Sequence, residues 1–148
     1  MPTLNNIPIA TATPSDRPHL LVWDTCNDDD LEQLRFRHGT HRIHYGKNLV
    51  DRHSNQSESQ YLSLDRRIGR EIQALRDLVA ASPTSYIQLE GLDRLITYLL
   101  ITDSGALNLF WQQLIDLRQL PKRLWLILPS SLIPSNWPPT QLHYLETL

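Results

Sequence analysis

Short apolar runs alternate with longer amphipathic stretches along this chain. Residues 19–23, 86–89 and 124–128 are rich in aliphatic, β-branched or aromatic side chains and are bounded by polar ones, so each run predicts a buried strand. Residues 40–45 alternate between polar and apolar positions, which predicts a further strand. A last short element, either strand or helix, is expected at residues 142–148.

The stretches between these strands have the spacing of amphipathic helices. Apolar side chains at helical intervals predict helices that end near Gly39, over residues 64–81, over residues 92–100 and over residues 107–117. Strands that alternate with helices favour a parallel sheet with helices on both faces. We therefore expect an α/β fold, a three-layer sandwich whose mostly parallel sheet has about five strands.

Polar segments complete the organisation of the chain. Residues 1–18 are rich in Thr, Pro, Asn and Ser, so we expect a flexible N-terminal lead-in followed by one α/β domain over residues 19–148. A short helix is expected at residues 48–50, and a loop at residues 54–60. Residues 129–139 form a proline-rich loop.

Composition narrows the class of protein. The chain of 148 residues is 41% hydrophobic and 20% charged, with a formal net charge of −2. This balance is that of an ordinary globular protein and gives no support to strong non-specific binding of nucleic acid. One cysteine, Cys26, excludes an intramolecular disulfide and suits a reducing compartment. No apolar run is long enough to span a membrane and no secretory signal begins the chain, so we expect a cytoplasmic protein.

Two acids follow the predicted strand at residues 86–89. Glu90 stands at its carboxyl end, Gly91 permits a sharp exit, and Asp93 comes shortly after. Ligands of open α/β sheets bind at the carboxyl ends of the strands, and an acid in this place holds Mg²⁺ in P-loop ATPases. Glu90 and Asp93 are therefore candidate catalytic residues. The alternative is structural: Glu90 would pair with an arginine such as Arg94, and Asp93 would cap a helix.

In this order of elements the chain resembles a small P-loop NTPase of the AAA-like group. His19-Leu-Leu-Val-Trp23 takes the place of the first strand, residues 86–90 that of the Walker B strand, and residues 124–128 that of the sensor strand. The layout is most similar to the small P-loop protein of BREX-type phage defence, through residues 41–50 and the segment Leu89-Glu-Gly-Leu-Asp-Arg-Leu95. The resemblance implies a P-loop NTPase-like fold and a place in an anti-phage or nucleic-acid-processing complex.

The phosphate-binding half of that family's machinery is missing. Asp24-Thr-Cys-Asn-Asp-Asp-Asp30 stands where the phosphate loop would be, yet it has no glycine and no lysine, and its carboxylates would repel a triphosphate. Lys47 does not replace the missing lysine, because Asn48 follows it and no upstream glycine has the required spacing. We therefore expect no nucleotide cofactor, with Mg²⁺ left open. The chain would be a non-catalytic adaptor or regulatory subunit that binds a protein partner.

A metal-dependent nuclease is the alternative function. Leu21-Val-Trp-Asp-Thr25 and Ile101-Thr-Asp-Ser-Gly105 resemble the first strand and the late acidic turn of the PIN family. That resemblance implies that Asp24, Asp93 and Asp103 hold Mg²⁺ or Mn²⁺ for phosphodiester hydrolysis. The segment from Asp93 to Thr102 is, however, too short for the helix and strand that usually intervene in that family.

Four residues are candidates for partner binding. Trp137 and Ile133 lie on the proline-rich loop, and a large aromatic on a rigid loop is a typical interface anchor, so a plain interaction module is a third hypothesis. The alternative for Trp137 is that it folds back over the sheet. Arg42 and Lys47 belong to a locally basic first half that could contact a protein or nucleic-acid phosphates, unless neighbouring acids balance it.

Overall fold

A five-stranded parallel sheet forms the centre of the fold. The structure, a computed structural model, describes residues 6–47 and 68–145. The strands are β1 (His19–Val22), β2 (His41–His44), β3 (Tyr86–Glu90), β4 (Arg123–Leu128) and β5 (Leu142–Tyr144), in the order β2-β3-β4-β1-β5. The helices are α1 (Asp28–His38), α2 (Ile68–Ala81), α3 (Asp93–Thr102) and α4 (Ser104–Ile115). All four strand pairs are parallel, which confirms the predicted α/β class and the mostly parallel sheet of five strands.

The predicted elements agree with the observed ones over most of the described chain. The last element is the strand β5, and the proline-rich loop contains two single-turn 3₁₀ helices, Ser130–Leu132 and Pro139–Gln141. The helix expected at residues 48–50 and the loop expected at residues 54–60 lie outside the described residues. The same is true of the first four residues of the helix expected at 64–81.

One face of the sheet carries the larger hydrophobic core, which α2, α3 and α4 cover. Successive side chains of a strand point to opposite faces, so Leu124, Leu126 and Leu128 of β4 all face this layer. They belong to one buried cluster with Leu99 of α3 and Phe110 of α4, both of which are fully buried. Each such side chain contributes about 1.5–3 kcal/mol on burial, so this layer is the main source of apolar stabilisation.

The other face carries a smaller core that one helix and the N-terminal segment cover. Leu21 and Trp125 of the sheet pack with Leu34 of α1 and with Ile7 and Ile9. Residues 6–18 were expected to be a flexible lead-in, but Ile7 and Ile9 are 3% and 1% exposed. The segment is mostly polar, so its few apolar side chains were not expected to be buried. They pack on the sheet because, among the described helices, only α1 covers this face.

The connection from β4 to β5 contains no α-helix and is closed by a buried tryptophan. Trp137 is 4% exposed, and its indole N–H donates to the carbonyl of Gln141 over 3.0 Å. Its ring meets that of Trp111 nearly edge-on, with centroids 6.1 Å apart. Of the two alternatives for Trp137, the structure therefore shows the one in which the ring folds back into the core, rather than the exposed interface anchor. A large indole with its one donor satisfied is more stable in the core than on the surface.

Gly91 makes the turn at the carboxyl end of β3. Its φ is +82°, and a Cβ placed there would lie 2.5 Å from Cε1 of the His44 imidazole. The chain can therefore leave the strand only because this residue has no side chain.

We expect Gly91→Ala to destabilise the protein by at least about 1–2 kcal/mol, since the left-handed backbone alone costs that much and the imidazole must also move. Gly69→Ala is the matched control, because Gly69 lies in α2 with ordinary backbone and a methyl group added there would have no neighbour within 4 Å. It should be neutral or stabilising by about 0.5–1 kcal/mol. Urea unfolding measures both, and equal stabilities for the two variants would contradict the role given to Gly91.

Candidate functional site

A pocket of about 330 Å³ opens at the carboxyl edge of the sheet, the edge at which open α/β sheets bind ligands. Asp24, Glu90 and Asp93 line it, together with His44 and Arg94. Asp24 follows β1, Glu90 ends β3 and Asp93 begins α3. The structure therefore brings together three of the four acids that the sequence singled out. The fourth, Asp103, is not among the residues that line this pocket.

The Glu90 carboxylate forms an ion pair with Arg42 of the neighbouring strand. Arg42 Nε lies 3.0 Å from Glu90 Oε2 and Nη2 lies 2.5 Å from Oε1, so the guanidinium binds both oxygens. The two side chains are only 17% and 11% exposed. Both point to the same face of the sheet because Arg42 is in register with Gln88, two residues before Glu90. The structural alternative for Glu90 is thus observed, with Arg42 rather than Arg94 as the partner.

The same guanidinium also joins the sheet to α1. Arg42 Nη1 donates to Glu32 over 2.7 Å, and Nη2 donates to Asp28 over 2.9 Å. The hydrogen bonds to Glu90 are the main reason why the pKa of Arg42 is raised above its usual value. The hydrogen bond from Arg42 is likewise the main cause of a lowered pKa at Glu32. Arg42 is therefore engaged within the fold, in contrast to its prediction as a partner-binding residue.

Gln88 extends this polar contact into the buried part of the sheet. Its side chain is fully buried, accepts from the Thr40 hydroxyl over 2.7 Å, and donates to the backbone carbonyl of Leu31 over 3.1 Å. Leu34 is the only buried residue of α1. Helix α1 is consequently held on the sheet by ionic and amide contacts as much as by apolar packing.

The remaining predicted acids have local structural roles. Asp24 accepts from the backbone N–H and the hydroxyl of Ser130, at 2.7 and 2.9 Å, and so ties the end of β1 to the loop after β4. Asp93 is the first residue of α3, where a negative charge favours the positive end of the helix dipole. Asp103 caps α4 through the backbone N–H groups of Gly105 and Ala106.

These positions do not form the metal site of the nuclease alternative. Asp93 and Asp103 stand at opposite ends of α3, and a helix of ten residues is about 15 Å long. Within residues 6–47 and 68–145, no group of three or more His, Cys, Asp or Glu side chains is placed to bind a metal ion. The convergence of Asp24, Asp93 and Asp103 that phosphodiester hydrolysis would need is therefore not observed.

The cysteine beside the pocket is not set up as a nucleophile. Burial raises the pKa of the Cys26 thiol, and the nearby carboxylates of Asp30 and Glu90 raise it further. A thiol of this kind is protonated at neutral pH, and the protonated form is a poor nucleophile.

A second opening, of about 550 Å³, lies between α3, α4 and the loop after β4, and we call it the α3–α4 groove. Ile133 lines it, as do Leu100, Leu107 and Trp111. Of the four predicted partner-binding residues, Ile133 thus borders an open surface and Lys47 is exposed, whereas Arg42 and Trp137 are engaged elsewhere. No sequence motif marks the groove directly, although Leu100 is an apolar residue that the helix leaves 55% exposed.

Sequence reasoning also missed a pair of histidines in contact at the edge of the sheet. His19 Nδ1 lies 3.1 Å from His143 Nε2, and His19 Nε2 lies 2.8 Å from the carbonyl oxygen of Pro14. The His19 ring stacks on the buried Trp125 with centroids 5.2 Å apart, and the His143 ring lies tilted against the same indole at 4.7 Å. Burial lowers the pKa of His143 to about 4, with a further contribution from His19, and burial likewise lowers the pKa of His19. The folded protein therefore favours both rings in the neutral form.

We expect Arg42→Met to destabilise the protein by about 3 kcal/mol, because it leaves the buried Glu90 carboxylate without its partner. The double variant Arg42→Met/Glu90→Gln should recover part of that loss, since the unpaired charge is then gone. Arg35→Met is the matched control, because the exposed Arg35–Glu32 pair should contribute no more than about 0.5 kcal/mol. Chemical denaturation measures the free energy of unfolding of each variant. Equal losses of stability in Arg42→Met and Arg35→Met would contradict the structural role given to the Arg42–Glu90 pair.

The histidine pair predicts acid sensitivity. The pKa of His143 is about 4 in the folded protein against an ordinary 6.5, so protons bind preferentially to the unfolded chain between these values. The melting temperature should therefore fall as the pH decreases through that interval. His143→Gln should make the dependence shallower, because it removes one of the two groups whose pKa the fold lowers. Melting curves with the same slope against pH for wild type and His143→Gln would refute this.

Comparisons of the chain with protein-family models, with curated proteins and with solved structures find no match. In the part of the chain that the structure describes, no helix is both long and apolar enough to cross a membrane. Function is therefore inferred from the geometry of the carboxyl edge.

Proposed function

We propose that this protein is a non-catalytic adaptor or regulatory subunit with a degenerate P-loop NTPase-like fold, which binds a protein partner within a larger complex. The observation that carries the proposal is the ion pair between Arg42 and Glu90. Glu90 occupies the place of the Walker B acid in the resemblance, and both of its oxygens already accept hydrogen bonds from Arg42. A magnesium ion at this carboxylate would have to displace a guanidinium or bind beside its positive charge.

The order of the strands supports the P-loop-like part of the proposal. The sensor-like β4 lies between β1 and the Walker B-like β3, as the sensor strand does in AAA-like P-loop domains. Glu90 and Asp24 accordingly reach the same pocket at the carboxyl edge. Strand order is evidence about the fold only, because the same fold can serve unrelated functions. The non-catalytic part of the proposal is therefore argued from the site residues.

The segment between β1 and α1 supports the lack of nucleotide binding. Asn27 caps α1 and exchanges hydrogen bonds with Asp30, at 2.8 and 3.0 Å, which closes the first turn of the helix upon itself. In a phosphate loop the N–H groups at this place would be presented to phosphate. Here the side chains of Asn27 and Asp30 already accept from two of these N–H groups. Asp28 and Asp29 add negative charge, which would repel a phosphate.

The cellular setting is proposed from the resemblance and from the composition. A small degenerate P-loop protein of the BREX-type layout would act within an anti-phage or nucleic-acid-processing complex in the cytoplasm. We favour protein rather than nucleic acid as its direct partner, because the chain has a net charge of −2 and Arg42 is surrounded by three carboxylates. The single cysteine agrees with a reducing compartment.

The proposal predicts no rise in melting temperature with MgATP, MgADP, MgGTP or Mn²⁺. A ligand at ~100 times its Kd would add about 2.7 kcal/mol to the free energy of unfolding, which a thermal-shift assay detects readily. A rise with any nucleotide would refute the non-catalytic assignment.

Arg42→Met supplies the matched comparison for that assay. A Mn²⁺-dependent rise in Arg42→Met that is absent from both the wild type and Arg42→Met/Glu90→Gln would show that the guanidinium keeps a metal from Glu90. Stabilisation of the wild type by Mn²⁺ alone would instead favour a metal-dependent activity.

A further inference from the structure

A third opening, of about 300 Å³, lies at the amino edge of the sheet, and we call it the amino-edge pocket. The N-terminal segment, the start of β3 and the turn that leads into β4 form it. The polar side chains that line it are those of Ser15, Ser85, Tyr86, Lys122 and Arg123. Polar groups from three separate parts of the chain therefore meet at the edge opposite to the pocket described above.

The charged residues of the amino-edge pocket are both cationic. Lys122 and Arg123 line it, and none of its lining residues is acidic. Asp16, which follows Ser15 in the chain, is not a lining residue, and its carboxylate accepts from the backbone N–H of Gln119 over 3.1 Å. The pocket thus carries local positive charge in a protein whose formal net charge is −2.

Neutral backbone carbonyls hold both cations in place. The Lys122 ammonium donates to the carbonyls of Ala80 and Ser82 at the end of α2. Arg123 Nη1 lies 2.5 Å from the carbonyl oxygen of Ala12. Among the described residues, neither cation forms an ion pair with a carboxylate. Carbonyl groups orient a cation but carry only partial charges, so the positive charge of the two side chains is not cancelled.

Both cations keep N–H groups for a further acceptor. An ammonium has three donors and a guanidinium has five, so these hydrogen bonds leave at least one donor of Lys122 and most of those of Arg123. Ser15 and Ser85 are exposed at the same opening and add hydroxyl groups. Burial is the main cause of the lowered pKa of His19, and the positive charge of Arg123 lowers that pKa further.

This set of groups matches the chemistry of an oxyanion. Guanidinium and ammonium groups are the side chains that proteins use to bind phosphate, through charge-assisted hydrogen bonds. A cationic ligand would be repelled, and an apolar one would leave the donors unpaired. The volume of about 300 Å³ is at the lower end of the range of about 300–1,000 Å³ for ligand pockets. It therefore favours a small ligand over a nucleoside triphosphate.

We propose that the amino-edge pocket binds a small oxyanion, inorganic phosphate or a small phosphate monoester, between the side chains of Lys122 and Arg123. The inference goes beyond the proposed function, because the ligand lies at the opposite edge of the sheet and no catalysis is required. Arg123 already bonds Ala12, and Ser15 belongs to the same N-terminal segment, so a bound anion would also tie this segment more firmly to the sheet.

The probes are inorganic phosphate and glycerol phosphate, each titrated into isotope-labelled full-length protein and followed by NMR. Sodium chloride keeps the ionic strength constant, since salt screens exposed charges. We expect saturable shifts of the backbone amide signals of Ser85 and Arg123, with a Kd of about 1 mM or lower for at least one probe. The amide signal of Arg70, on α2 and outside the pocket, should not shift.

Substitutions locate the binding surface. Lys122→Gln should weaken binding of the anion by at least about tenfold, because it removes one of the two charges. Lys122→Arg keeps the charge and should retain most of the binding. Arg70→Gln is the matched control, because it removes the same charge from an exposed position outside the pocket, and it should bind like the wild type.

Arg123→Gln is a second variant that should also weaken binding. It loses the contact with Ala12 as well, so urea unfolding is used to establish that the variant is folded. Equal losses of binding in Lys122→Gln and Arg70→Gln would show a response to net charge alone and would overturn the proposal. Shifts that fail to saturate with both probes, or binding that neither Lys122→Gln nor Arg123→Gln weakens, would overturn it too.

Discussion

The guanidinium of Arg42 is the contact on which the carboxyl edge of the sheet depends. It binds Glu90 within the sheet and reaches Glu32 and Asp28 on α1, so one cation holds three carboxylates that come from two layers of the fold. Glu90 and Arg42 are each mostly shielded from water. Carboxylates this close would repel one another and separate the helix from the sheet if the cation were absent. The Arg42 guanidinium is thus one of the contacts that hold α1, whose one buried residue is Leu34, on the sheet.

The same contact determines what the edge can do chemically. A carboxylate whose two oxygens both accept charge-assisted hydrogen bonds is a poor metal ligand and a poor general base. The pocket beside it lies where open α/β sheets bind ligands, yet two of its three acids are engaged: Asp24 binds Ser130 and Glu90 binds Arg42.

Local pattern predicted the elements well, whereas contacts between distant residues were predicted poorly. The mostly apolar runs of β1, β3 and β4 can be recognised in the sequence itself, since a strand buried on both faces is largely apolar. The structural alternative for Glu90 named an arginine such as Arg94, whereas the observed partner Arg42 is 48 positions away and is adjacent only through the β2–β3 register. The sequence likewise left open whether Trp137 is exposed or folds back, because its burial depends on Trp111 in a separate helix. Such pairings become visible only when the strand order is known.

The proline-rich connection borders the pocket at the carboxyl edge and the α3–α4 groove. At the carboxyl edge, Ser130 in the first turn of this connection donates two hydrogen bonds to Asp24, which helps to close the pocket. Farther along, the connection contains no α-helix, and Trp137 packs into the larger core with its indole N–H bonded to the carbonyl of Gln141. Leu132 and Ile133, between these two points, border the α3–α4 groove. One segment without an α-helix therefore shapes both of these openings, because it is tied to the carboxyl edge at Ser130 and to the helical face at Trp137.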